Sequence, residues 1–256
     1  MTDTLFPLVL VAKKEYLESL QKGFFYMKNC LCYQAIEGDD IQRGDKYDGA
    51  VKCGYKGYGI PDSLQNTVTN PRLMEIDNYI KCFFHYKKRD MKMRTDFCAQ
   101  FTISPEATKV LQEFNEEYAL VVFSAGEFIR RFSNVCQKAN LIFDYGDVNY
   151  VSDDDYNRYR QRIEDIVQGK ASNKGGGNPV FVKRDVFENQ QEFRFCIKHK
   201  QEITDGTSLA EAISIDIGNV EDISVVVKLS DICRYPIIMD YKKEVCYIVD
   251  SSKEGE

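Results

Sequence analysis

The residues best suited by type and spacing to do chemistry lie in the run PVFVKRDVFENQQEFRFCIK, residues 179 to 198. In Glu192-Phe-Arg-Phe-Cys-Ile, polar and apolar residues alternate. On a strand that alternation puts Glu192, Arg194 and Cys196 on one face and Phe193, Phe195 and Ile197 on the other. A carboxylate and a guanidinium sharing a face make either a same-face ion pair on a half-buried strand or part of a site, and spacing alone leaves both open. Gln190 and Glu192 form a Gln-x-Glu pattern at the start of this strand, two residues apart and hence on one face.

A second cluster runs from Lys81 to Arg94. It holds Lys81, Lys87, Lys88, Arg89, Lys92 and Arg94 against Asp90 alone, with Phe83, Phe84 and Tyr86 interleaved. Cations with aromatics suit a single-stranded nucleic-acid track, and equally a solvated basic loop. A third, Arg43-Gly-Asp-Lys-Tyr-Asp48-Gly49, mixes turn residues with paired charges. With His85 and His199 as the only histidines and no Cys-x-x-Cys pair, no metal site is expected. Phosphate-loop, dinucleotide-fold and nucleophile-elbow motifs are all absent.

The elements that must position these residues announce themselves through caps and periodicity. Helices are expected from Lys13 to Lys22, ending at Gly23; from the Ser104-Pro105 cap to Tyr118; behind a Ser124–Glu127 capping box; and from Ser152 to Gln168. Eleven short runs rich in β-branched and aromatic residues read as strands, among them Phe6–Val11, Phe24–Met27, Tyr79–His85, Leu141–Tyr150 and Glu192–Ile197. The order does not alternate as βαβ units, so an α+β fold with a largely antiparallel sheet is expected. Residues 34–78 read as a long structured loop or short strands, and GKASNKGGGN, residues 169–178, as a flexible linker or lid within one domain spanning residues 1–256.

Composition bounds the function. The chain has 256 residues, 43% apolar and 29% charged, and a net charge of −6, which excludes disorder and any coating of nucleic acid by bulk charge. No apolar run reaches the ~20 residues that span a bilayer, and the opening Met-Thr-Asp-Thr lacks a secretory pattern, so a cytoplasmic protein with no membrane partner is expected. Its nine cysteines are expected to be reduced.

Gln190-x-Glu192 entering a strand in the last third resembles the Gln/Glu-x-Glu motif of the ADP-ribosyltransferases. The opening order is similar too: the apolar strand PLVLVA, the helix KKEYLESLQKG and the aromatic strand FFYMKN. RGDKYDG, YIKCFFHY, YGDVNY and VKRDVFENQQEFRF further resemble bacterial phage-defence toxins of that superfamily, including messenger-RNA-modifying toxins that work with an antitoxin and a chaperone. The resemblance implies split antiparallel sheets with flanking helices and transfer of ADP-ribose from NAD to nucleic acid, single-stranded RNA above all, with a protein antitoxin or chaperone as partner. It makes Glu192 the catalytic carboxylate and Gln190 the residue that handles the acceptor. Tyr26 would stack on nicotinamide, while Lys13, Arg43 and Arg194 would hold NAD and Lys87, Lys88, Arg89 and Lys92 the nucleic acid. The chain departs from the family in having no Arg or His in its first strand and no Ser-Thr-Ser motif. Two other readings stay open: a non-enzymatic binding protein such as an antitoxin or phage inhibitor, and an NAD glycohydrolase. If the Glu192–Arg194 pair is partly exposed, Glu192→Gln should cost only about 1 kcal/mol of stability.

Overall fold

The computed structural model describes residues 6–30, 76–167, 170, 179–200, 211–243 and 245–249. The first third supplies β1 (Leu8–Ala12), α1 (Lys14–Gln21), β2 (Phe24–Asn29), β3 (Ile76–His85), β4 (Met91–Thr95) and β5 (Cys98–Phe101). Next come α2 (Pro105–Glu113), β6 (Tyr118–Val122), α3 (Ala125–Lys138), β7 (Ile142–Asp147), β8 (Asn149–Val151) and α4 (Asp153–Val167). The last third holds β9 (Val182–Arg184), β10 (Glu192–Lys200), β11 (Ala212–Asp216), β12 (Ser224–Lys228), α5 (Leu229–Arg234), β13 (Ile237–Asp240) and β14 (Val245–Ile248). The fold is α+β, and among the described residues every strand pair is antiparallel except β8 with β9.

The main sheet forks at β3. One edge of β3 pairs along its whole length with β10, and β7 lies beyond β10. The other edge is shared. Leu8 and Val9 of β1 pair with His85 and Phe84 at one end, and Lys28 and Asn29 of β2 pair with Ile80 and Tyr79 at the other. β1 continues to β6 and β12, while β2 continues to β11. α1 joins the two prongs. It stops where Gly23 adopts φ +105°, and a Cβ there would meet Asp216 Oδ1 at 2.7 Å and the Gly218 backbone at 2.8 Å.

Where β1, β3 and β6 lie side by side both faces of this sheet are buried, because strand alternation feeds two cores from the same strands. Leu8, Leu10, Phe25, Met27, Phe83, Phe193 and Phe195 pack with Leu17 and Leu20 of α1 and Phe128 and Phe132 of α3. Val9, Phe84, Val121 and Ala119 turn the other way and meet α2, α5 and a second sheet in the order β14-β13-β5-β4.

Most caps behave as their sequences suggest. Ser104 Oγ accepts from Ala107 N at 3.1 Å with Pro105 opening α2, and Ser152 Oγ accepts from Asp155 N at 3.2 Å. α2 is shorter than expected, since Tyr118 begins β6. The Ser124 capping box does not form. Glu127 turns outward to Arg130 and Arg131, which hold its carboxyl down to about 2, and Arg131 reaches on to Asp222, tying α3 to the turn before β12. The Leu141–Tyr150 run divides at Val148 into β7 and β8, and β4 and β13 are strands that no expectation covered. The Gly169–Asn178 segment, Lys170 apart, and residues 34–75 of the glycine-rich stretch lie outside the described residues. The described cysteines, Cys30, Cys82, Cys98, Cys136, Cys196, Cys233 and Cys246, form no disulfide with one another.

Candidate functional site

The Gln-x-Glu pattern sits at a joint. A 3-10 turn, Asp185 to Gln190, ends at Gln191, which takes a left-handed conformation with φ 43° and ψ 48°, and β10 starts at Glu192. A left-handed non-glycine residue costs on the order of 1 kcal/mol or more and persists only where its surroundings fix it. Here the Gln191 side chain is held at both ends. Arg89 Nε and Nη2 donate to its Oε1 at 3.2 and 2.7 Å, and its Nε2 donates to Asp90 Oδ2 at 3.1 Å.

The joint turns Gln190 and Glu192 onto one lysine. Lys183 Nζ, on β9, donates to Gln190 Oε1 at 2.7 Å and to Glu192 Oε1 at 3.0 Å. Arg194 Nε and Nη2 each lie 2.7 Å from Glu192 Oε2, while its Nη1 donates to the Val180 carbonyl at 2.6 Å. The Glu192 backbone N–H donates to Tyr150 Oη at 2.9 Å. The Glu192 side chain is 13% exposed, against 5% for Lys183 and 0% for Arg194. Burial works to raise the Glu192 pKa, but the Arg194 and Lys183 charges and hydrogen bonds prevail and hold it down to about 2. The carboxylate is therefore held in its ionised form, with both oxygens bound to cations. A carboxylate offers about four lone-pair positions, and these donors use three, which leaves one on Oε1 among the described residues.

The sequence-based site is only partly assembled. β10 is not half-buried: Arg194 and Cys196 are as buried as Phe195, because Val180 and Phe181 cover their face. The Glu192–Arg194 pair is thus no surface pair. Glu192→Gln would strand two buried cations, at a cost of about 3–5 kcal/mol rather than the expected 1. Gln190 does not share a strand face with Glu192, since the left-handed Gln191 intervenes. It is buried, and its carbonyl accepts from Lys183, the lysine that also donates to Glu192. Arg194 likewise serves Glu192 and the Val180 carbonyl rather than an open surface. Tyr26 lies on the same sheet face as Arg194 and Glu192, but two strands away and 52% exposed. Lys13 caps the far end of β1, four residues beyond the Val9–Phe84–Glu192 row, about 13 Å along the strand and remote from the carboxylate. Arg43 lies outside the described residues.

The basic segment is also smaller than its charge count. Lys81 is half-buried on the core face opposite Phe195, where partial burial pushes its ammonium down to about 8. Lys87 Nζ lies 2.5 Å from Asp147 Oδ1, and Arg89 is bound to Gln191. Lys88, Lys92 and Arg94 remain as exposed cations.

Sequence reasoning missed Lys183, Tyr150, Gln191 and Asp147. Lys183 carried a signal, a lysine inside the apolar run Val180-Phe-Val-Lys that a strand would have to bury. Asp147 carried none, because it meets its partner only through the pairing of β7 with β10. Its Oδ1 lies 2.6 Å from His85 Nδ1, whose other ring nitrogen is buried without a partner. Burial would raise the Asp147 pKa, yet His85 and Lys87 together keep it below its ordinary value. Among the described residues no cluster of three or more His, Cys, Asp or Glu side chains could hold a metal, and no helix is long and apolar enough to cross a membrane. No family model, curated protein or solved structure matches the chain.

Proposed function

We propose that the chain is an NAD-dependent ADP-ribosyltransferase that modifies nucleic acid, acting as a toxin in phage defence, with Glu192 as its catalytic carboxylate. The observation that carries this reading is the state of Glu192: ionised, clamped by Lys183 and Arg194, slightly open to solvent and retaining one acceptor position. Breaking the bond between nicotinamide and ribose develops positive charge on the anomeric carbon and ring oxygen, and a carboxylate fixed in advance stabilises that charge with no reorganisation. The open position on Oε1 suits a ribose hydroxyl. The order β1–α1–β2, with β1 and β2 diverging from one edge of β3, fits the split sheets implied by the resemblance.

One observation favours a second reading, a non-enzymatic binding protein. The two cations compensate the Glu192 charge, as they would in a clamp that only fixes the 3-10 turn to β10. Incubating the protein with NAD and RNA, then measuring free nicotinamide and the ADP-ribose mass increment on RNA and protein, separates the two. Nicotinamide release that depends on Glu192 supports the enzyme, release without any adduct supports a glycohydrolase, and no release leaves the binding protein.

A further inference from the structure

We propose that Phe24 and Tyr26 on β2 form a stacking platform for the bases of single-stranded nucleic acid. The inference deepens the reading above by naming the surface that receives the acceptor, and it moves Tyr26 from nicotinamide to the acceptor strand. It does not require NAD chemistry.

Alternation on β2 sends Phe25 and Met27 into the core and Phe24, Tyr26 and Lys28 to the other face. Phe24 is 57% and Tyr26 52% exposed, so two large rings stand next to each other in water on a strand whose other side chains are well packed. Among the described residues neither ring stacks on another aromatic, and Lys28 makes no ion pair. Their cross-strand neighbours on β11 are Asp216 opposite Phe24, Ser214 opposite Tyr26 and Ala212 opposite Lys28, small or polar groups that leave the ring faces open.

Spacing and surroundings select the occupant. Residues two apart on a strand lie about 6.8 Å apart, which is twice the ~3.4 Å separation of stacked bases, so one base fits between the rings and a neighbour covers an outer face. A protein partner would fill an apolar pocket around its anchoring rings. Here the rings are bordered by a hydroxyl, a carboxylate and a lysine, with Lys28 continuing the line to meet a phosphate. A sheet face offering two aromatics and a cation in register is a sequence-tolerant way of gripping a flexible strand. The platform shares its sheet face with Glu192, which lies two strands away on β10 and four residues, or about 13 Å, along it from the Lys28–Ile80–Cys196 row.

The test is binding of fluorescein-labelled oligo-uridine to the full chain, measured by anisotropy without NAD. Phe24→Ala and Tyr26→Ala are each expected to weaken binding by roughly 5- to 100-fold with the salt slope unchanged, while Tyr26→Phe stays within about twofold of the parent. Lys28→Ala should lower the slope by about 1. Tyr16→Ala, on the exposed surface of α1, should leave binding unchanged, and matched melting temperatures establish that the variants fold. Failure of the parent to bind, or alanine variants within twofold of it, overturns the platform. So does loss of a dimer on Phe24→Ala, which would assign the rings to a second copy of the chain. Binding that depends on the rings in a protein that never releases nicotinamide would keep the platform and remove the transferase.

Discussion

Lys183→Met perturbs the candidate site at the one lysine that Gln190 and Glu192 share. Methionine keeps the length and apolar stem of lysine and removes the ammonium, which donates to both Gln190 and Glu192. The magnitude follows from Glu192, whose carboxyl is lowered from 4.5 to about 2; at about 1.4 kcal/mol per pH unit this corresponds to about 3 kcal/mol of stability. Arg194 and Lys183 share this effect, so the loss of the lysine alone is expected to cost only a part of it, on the order of 1–2 kcal/mol. The depressed pKa fixes the sign: this stability is fully present above about pH 4.5 and is lost as pH falls from 4.5 towards 2. Lys183→Met should therefore lower stability at pH 7 by about 1–2 kcal/mol, or roughly 2–8 °C in melting temperature for a chain of this size, and the deficit should narrow below pH 4.5. Urea denaturation of parent and variant at pH 7 and pH 3 measures it. A variant as stable as the parent at pH 7, or a deficit that is the same at both pH values, would refute the electrostatic reasoning.

Lys81→Met should stabilise the protein at pH 7 by up to about 3 kcal/mol, because the folded lysine gives up its proton near 8 and the unfolded one near 10.5. That gain should shrink as pH rises from 8 to 10.5, and melting across the range checks it. Gly23→Ala should cost well over 1 kcal/mol, since it adds a side chain at φ +105° against the Gly218 backbone; a melting temperature equal to the parent's would contradict the turn. If the basic segment steers RNA, Lys88→Glu with Lys92→Glu should weaken binding at low salt and flatten its salt dependence. Lys87→Glu should instead disturb the Asp147 pair, read as lost stability.

The parts of the fold that were legible in the sequence are those set by local rules. The Ser104-Pro105 and Ser152 caps, the stop at Gly23 and the alternation from Glu192 to Ile197 need only neighbouring residues, and each stands where expected. What was not legible depends on distant partners. Ser124–Glu127 has the spacing of a capping box, but Arg131, anchored to Asp222, competes for the carboxylate. Glu192 and Arg194 were visible as a pair, whereas their burial follows from Val180 folding over them, which no spacing reveals. Gln191 hid the joint best of all. Glutamine has no marked left-handed preference, and only Arg89 and Asp90, about a hundred residues earlier, hold it there.

If Glu192 stabilises the charge developed when NAD loses nicotinamide, removing its negative charge must slow that step. The most direct test is the rate of nicotinamide release by the parent and by Glu192→Gln, compared at equal concentrations of folded protein because the variant is expected to be less stable. Release by the parent and a fall of on the order of 100-fold or more in the variant are expected, with NAD binding retained. Equal release by the two proteins, or none from the parent with RNA present, would contradict that role for Glu192.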